Sequence, residues 1–135
     1  KNYSPNFSTQ KRNLNIIKFI IIHYTGMSSE IKAINRLTDV NSKVSCHYFI
    51  KKNGDIITMV PDKYIAWHAG KSHWEKYSSL NKHSIGIEIQ NNGHGKNYRN
   101  FKLKQINSII YICKNLQKKY KIKKKKCFSS LRYFL

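Results

Sequence analysis

Residues 16–22, IIKFIII, are apolar except for Lys18. A run that short and that continuous predicts a strand buried on both faces. It ends in His23, Tyr24 and Thr25, where turn residues would be expected. A histidine at the mouth of such a strand is either a satisfied core residue or a ligand held rigidly by the sheet. Residues 28–39, SSEIKAINRLTD, predict a helix. Ser28 or Ser29 can cap it, and Ile31, Ile34 and Leu37 recur every three residues. VSCHYFIK (44–51) and DIITMV (55–60) predict strands, and the KNG between them signals a hairpin. SIGIEIQ (84–90) alternates, with Ile85, Ile87 and Ile89 on one face and Ser84, Gly86, Glu88 and Gln90 on the other. Leu103, Ile106, Ile109 or Ile110, Cys113, Leu116 and Tyr120 mark a long amphipathic helix. Residues 1–15 are polar and predict an N-terminal arm. The mixture of helices, strands and one antiparallel hairpin predicts a single α/β domain around a mixed central sheet flanked by helices.

Composition narrows this picture only a little. A chain of 135 residues suits one hydrophobic core, and 40% apolar residues is ordinary for a globular protein. No apolar run approaches the ~20 residues that span a bilayer. The formal net charge of +20, from 26 Lys and Arg against 6 Asp and Glu, favours an anionic partner: nucleic acid, anionic lipid or acidic wall polymer. The excess is mostly Lys scattered among Ile and Asn, with one dense run from Lys121 to Lys126, so coding bias accounts for it equally well. No nucleic-acid-binding motif accompanies it. Three cysteines (Cys46, Cys113, Cys127) with no CxxC spacing argue against a disulfide framework or a cysteine-rich zinc knuckle.

Candidate chemistry is sparse. Glu88 is one of six carboxylates, sits mid-strand where propensity disfavours it, and neighbours a glycine that leaves room for something. Taken alone it fits a solvated sheet face or a salt bridge as well as it fits a site. AWHAG (66–70) puts Trp67 and His68 before a helix-breaking glycine, which suits sugar or peptide contact, although the pentapeptide alone reads first as a half-buried Trp with a surface His. His47 in SCHYFI and His94 in NNGHG carry little individually, and His73 and His83 read as surface residues.

The order of the segments is more specific than any of them. IIIHYTG, VSCHYFI, AWHAGKSHW, LNKHSIGIEIQNNGH and YRNFKLKQINSIIYIC follow one another in a way that resembles the zinc-dependent N-acetylmuramoyl-L-alanine amidase family, whose fold is shared with peptidoglycan recognition proteins. The resemblance runs from about Ser4 to about Ile122 and is strongest to the bacterial muropeptide-cleaving branch. It implies a zinc ion held by two His and an Asp or Cys, with His23 as the first of these ligands and Glu88 as the acid that activates the zinc-bound water. It places His47, Trp67, His68 and Asn91 around the substrate groove. The implied substrate is peptidoglycan or its muropeptides, and the implied bond is the amide between N-acetylmuramic acid and L-alanine. A monomer is expected, and the compartment, cell envelope or cytoplasm, is left open.

The chain departs from the family pattern after the long helix. The second zinc histidine, a lysine and the third ligand should follow there; KIKKKKCFSSLRYFL stands in their place, with Ser130 about where the second histidine belongs. The expectation is therefore an amidase domain over 16–122 that lacks its C-terminal part, followed by an aberrant basic and apolar tail over 123–135 that does not form the closing strand. A frameshift in the lysine run would produce such a tail. Zinc is expected to be weak or absent, with Cys127, His68 and His94 as poor substitutes for the missing ligands. Three functions compete: an amidase, a peptidoglycan-binding remnant that no longer cuts, and a basic nucleic-acid-binding protein.

Overall fold

Apolar side chains at every position from Phe19 to Ile22 leave no face for water, and the chain there forms an inner strand of a five-stranded sheet. The structure, a computed structural model, describes residues 2–93 and 99–129. Its strands in chain order are β1 (Phe7–Ser8), β2 (Phe19–Tyr24), β3 (Tyr48–Ile50), β4 (Ile56–Thr58), β5 (Ile65–Ala66), β6 (His73–Trp74), β7 (Tyr77–Ser78), β8 (Ser84–Ile89) and β9 (Cys127–Ser129). Its α-helices are α1 (Glu30–Thr38), α2 (Leu80–His83) and α3 (Leu103–Tyr120). The main sheet has the order β4-β3-β8-β2-β9. β3, β8, β2 and β9 are parallel, and β4 closes the far edge as the antiparallel partner of β3. This is the mixed α/β class that the pattern predicts. Among the described residues no helix is long and apolar enough to cross a membrane.

Strand parity assigns the two faces. Ile20, Ile85, Ile87 and Ile89 pack with Ile112 and Leu116 of α3. Phe19 and Ile21 point the other way and pack with Ala69, Leu80 and Phe128. On that same second face, Phe49 meets Ala33 and Leu37 of α1. His23 and Glu88 are register partners on β2 and β8, so both project from the face opposite α3, in the gap between these two clusters.

Three expectations are corrected. The helices exist, Ser29 caps α1 through Lys32 N–H, and Ile34 and Leu37 on α1 and Ile109, Cys113, Leu116 and Tyr120 on α3 face the core as the pattern predicts, but the first residue of each stripe does not. Ile31 and Leu103 are 73% and 72% exposed, while Ala33 on α1 and Gln105 on α3 are buried. A small residue permits close approach to the sheet, and Gln105 is held inside because its Nε2 donates to Gln90 O at 2.8 Å. Secondly, the polar N-terminal stretch is fastened: β1 pairs with β5, and Ser4, Asn6 and Arg12 are buried. Thirdly, the expected failure of the tail to close the sheet is not observed. Cys127–Ser129 pairs in parallel with β2, which otherwise presents unpaired backbone N–H and C=O groups. Phe128 enters the cluster around Phe19 and is 3% exposed. Ser130 and the apolar residues after it lie outside the described residues.

Candidate active site

His23 is placed by β2 and Glu88 by β8; His68 reaches them from the loop after β5. Asn81 sets that loop, its Oδ1 accepting from the N–H groups of His68 (3.0 Å) and Ala69 (2.7 Å). The His68 ring lies flat against Gly86, where an added Cβ would come within 2.3 Å of His68 Cγ. The glycine in SIGIEI thus makes room for a ring. Ser84 Oγ donates its single proton to Leu80 O at 2.5 Å, so His68 Nε2, 3.1 Å from that oxygen, is the N–H donor to it. His68 Nδ1 then presents a lone pair to His23 Nε2 at 3.0 Å, which makes His23 the donor in this pair. Burial pushes His23 down to about 4. His68 is held well below the usual imidazole range by burial first, then by His23, His47 and Arg12.

Glu88 Oε2 is sealed from water and has no hydrogen-bond partner among the described residues. Burial raises its carboxyl to about 8, so it is mostly protonated at neutral pH. Above it opens a pocket of about 230 Å³ whose walls include Thr25, Met27, Arg36, Trp67, His68 and Glu88. Trp67 is held on both sides. Its backbone N–H donates to Ser45 Oγ at 2.8 Å, and its indole N–H donates to Ser8 Oγ of β1 at 3.2 Å.

Two candidates are not at this pocket. His47 is wholly buried. Its Nδ1 accepts from Gly86 N–H at 3.0 Å, so Nε2 carries the proton and donates to Tyr64 O at 3.0 Å. Arg12 Nη2 lies 3.0 Å from the same nitrogen. His47 supports the strand beneath the site and cannot meet a ligand. Asn91 shapes the loop after β8: its Oδ1 accepts from Gly93 N–H at 2.9 Å and its Nδ2 donates to Arg99 O at 2.8 Å. It borders a separate cleft with Ser28, Lys52 and Lys102. Cys127, considered as a substitute ligand, points to the α3 face, away from His23. His94 and Ser130 lie outside the described residues. The residues that the sequence did not reveal are Asn81, Ser45 and Arg12, which act mainly on backbone groups, and Ser84, which links the His68 ring to Leu80 O.

Two hydrogen-bonded imidazoles and a buried carboxyl thus gather at the carboxyl ends of two parallel strands, and two of these groups, His68 and Glu88, line one pocket of an α/β domain. Residues 12–130 match the N-acetylmuramoyl-L-alanine amidase family, and the chain belongs to it. It is 36% identical over 119 residues to N-acetylmuramoyl-L-alanine amidase AmiD of Escherichia coli K12, a match covering 79% of this chain and 42% of AmiD. It is 28% identical over 134 residues to 1,6-anhydro-N-acetylmuramyl-L-alanine amidase AmpD of Haemophilus influenzae, covering 87% of this chain and 70% of that protein. The fold superposes on the E. coli AmiD structure, solved as a complex with anhydro-N-acetylmuramic acid-L-Ala-D-γ-Glu-L-Lys, with a TM-score of 0.78 and 34% identity; 85% of this chain and 48% of that one are covered. The chain thus spans less than half the length of AmiD.

The family is zinc-dependent in general. A catalytic zinc takes three protein ligands and leaves a fourth position for water. The described residues bring two imidazole nitrogens together at His23 and His68, and among them no group of three or more His, Cys, Asp or Glu could hold a metal ion. This donor set does not fit a catalytic zinc.

Proposed function

We propose that the chain is a muramoyl-L-alanine amidase domain whose pocket takes a muropeptide and presents the lactyl–L-alanine amide to Glu88. The observation that carries this reading is the Glu88 side chain, which lines a pocket walled by Trp67 and His68 and whose buried Oε2 has no hydrogen-bond partner among the described residues. A buried carboxyl without a partner is costly to keep, and a ligand group that accepts its proton relieves that cost. Trp67 offers an aromatic face to the sugar. Arg36 and Lys43, both on the pocket wall, offer cations to the carboxylates of the stem peptide. In the reaction a water molecule would add its oxygen to the lactyl carbonyl carbon as the C–N bond breaks, the Glu88 carboxyl would give its proton to the departing alanine nitrogen, and the resulting carboxylate would take the proton that the water loses.

A second reading is supported by the two-donor set at His23 and His68: recognition without efficient cutting. Weak zinc retention by the 135-residue chain belongs to that reading.

Calorimetric titration of the chain with an anhydro-muramyl peptide, paired with an assay for released peptide in added zinc, tests both readings. Binding is expected, and Trp67→Ala should weaken it by at least tenfold. If turnover is measurable, Glu88→Gln should lower it by roughly 10²–10⁴-fold, as loss of a general acid–base group does. Binding with no release of peptide selects the second reading. Absence of binding overturns the substrate assignment, and unchanged turnover in Glu88→Gln removes Glu88 from its role. Metal analysis after dialysis should find zinc well below one per chain; a near-stoichiometric, retained zinc would show that a fuller ligand set assembles.

A further inference from the structure

Cys113 lies in the middle of α3, and Cys127 opens β9. Register pairs Cys127 with Ile20, so its side chain points to the α3 face of the sheet. There the two sulfurs are 3.7 Å apart. Both cysteines are half-buried, which leaves them within reach of a small reagent, whereas Cys46 is wholly buried against Met59. A disulfide needs about 2 Å between sulfurs. The remaining distance can be closed by side-chain rotation together with a small shift of β9, which is an edge strand with no further strand beyond it among the described residues.

We infer that Cys113 and Cys127 are an oxidisable pair that closes to an intramolecular disulfide and staples the edge strand β9 to α3. The segment between them contains the end of α3 and the whole lysine run, so the bond would close a loop of fourteen residues in sequence separation. β9 otherwise depends on three paired residues, the burial of Phe128 and the ion pair of Lys126 Nζ with Glu75 Oε2 at 2.5 Å. The staple therefore acts where attachment is thinnest.

The oxidant is a small disulfide, RS–SR. Contact with Cys113 pushes the Cys127 thiol down, while contact with Cys127 and burial push Cys113 up, so Cys127 is the first to ionise. Its thiolate attacks RS–SR, forming a mixed disulfide and releasing one RS⁻. Cys113, losing its proton to solvent, attacks the Cys127 sulfur of that mixed disulfide and releases the second RS⁻. Two protein S–H bonds are lost, one S–S bond forms, and the small disulfide is reduced to two thiols.

The test uses the full chain, first reduced and desalted, then exposed to oxidised glutathione. Expected are a mass about 2 Da below that of the reduced chain, loss of two of the three thiols, and a peptide map linking Cys113 to Cys127. Trypsin cleavage in the Lys121–Lys126 run should slow by roughly tenfold or more on oxidation and recover with a dithiol reductant. Cys46→Ser should keep all of this, and Cys113→Ser should abolish it without altering the reduced chain's trypsin rate. Persistent free thiols, a stable glutathione adduct, or bonds between chains would overturn the pairing. A disulfide that leaves the trypsin rate unchanged would overturn the staple.

Discussion

The two ends of the chain look alike as sequence and are held in opposite ways. Both read as loose: a polar stretch before residue 16 and a lysine-rich stretch after residue 122. The N-terminal end is anchored by polar groups that find backbone partners inside. Ser4 Oγ donates to Leu37 O at 2.5 Å, and Asn6 Nδ2 donates to Asp39 O at 2.8 Å and Val44 O at 2.9 Å. Arg12 donates to four carbonyls: from Nε to Asp62 O, and from Nη1 to Asn81, Lys82 and Ser84 O. Among the described residues, the C-terminal end is anchored by a short edge strand, by the Phe128 ring, by the contact of Cys127 with Cys113, and by Lys126, which pairs with Glu75 and sits over the Phe19 ring. Buried polar groups resist release because each must either keep its partner or bear its desolvation. An edge strand has no such penalty to hold it. The N-terminal end is therefore part of the site, since Ser8 holds the Trp67 indole, while the C-terminal end is the weak side of the same sheet.

The largest expected effect is at Arg12. Burial lowers its guanidinium to about 10, with Asp62 opposing that shift, so it stays charged at neutral pH. Arg12→Ala removes the side-chain donor from four carbonyls inside the fold, and should cost about 3–5 kcal/mol. Urea unfolding measures it. A loss below about 1 kcal/mol would mean that water replaces the clamp and that the N-terminal end is as loosely held as its composition suggests.

The pH dependence of stability comes next. His23 and His47 titrate near 4 in the folded chain against 6.5 ordinarily, and His68 also lies well below that value. Between about 4 and 6.5 the unfolded chain therefore binds more protons at these three positions, and stability falls as pH drops through that window. Glu88 acts in the other direction. Its folded value is about 8 against 4.5 ordinarily, so the folded chain keeps a proton that the unfolded chain has lost, and stability falls as pH rises from 4.5 toward 8. Three histidines outweigh one carboxyl on the acid side, and the carboxyl acts alone above 6.5. Maximum stability should lie near pH 6.5, followed by a decline of about 2 kcal/mol by pH 8. Thermal unfolding across pH would show it. Glu88→Gln should flatten the alkaline limb and leave the acid limb unchanged; an alkaline limb that persists in the variant would assign it to another group.

Most of the site's frame could be read from the alternation in SIGIEIQ and the apolar run ending at His23, because strand period assigns faces directly. Gly86 read as room for something, and the something is the His68 ring. Other features carry no period. His47 is engaged by a backbone N–H and a backbone C=O, so nothing in its neighbours distinguishes it from a groove residue. Arg12 is one basic residue among 26, and its value comes from carbonyls brought to it by folding. Helical spacing finds the inner stripe from Ile34 and Ile109 onward, while its first members, Ile31 and Leu103, lie outside it because Ala33 and Gln105 take the inward positions of the first turns. The closing strand was missed because five lysines before it outweighed the alternation of Cys127, Phe128 and Ser129.

The smallest effect expected is at that strand. Phe19 and Phe128 belong to one cluster, with ring centroids 6.0 Å apart, and Phe128 also stacks on Trp74 at 4.9 Å. Phe19 lies on β2, bonded on both sides, so its surroundings cannot collapse into a void; Phe19→Ala should cost about 3–5 kcal/mol. Phe128 is on the edge, where β9 can shift or detach. Phe128→Ala should therefore cost only about 1–2 kcal/mol globally, since a void that can relax costs less. It should instead make the lysine run cut by trypsin at least several times faster, with little change at sites around Arg12. The two readouts together separate local from global opening. If Phe128→Ala matches Phe19→Ala in urea, β9 is as integral to the sheet as β2, and the contrast between the two ends of the chain disappears.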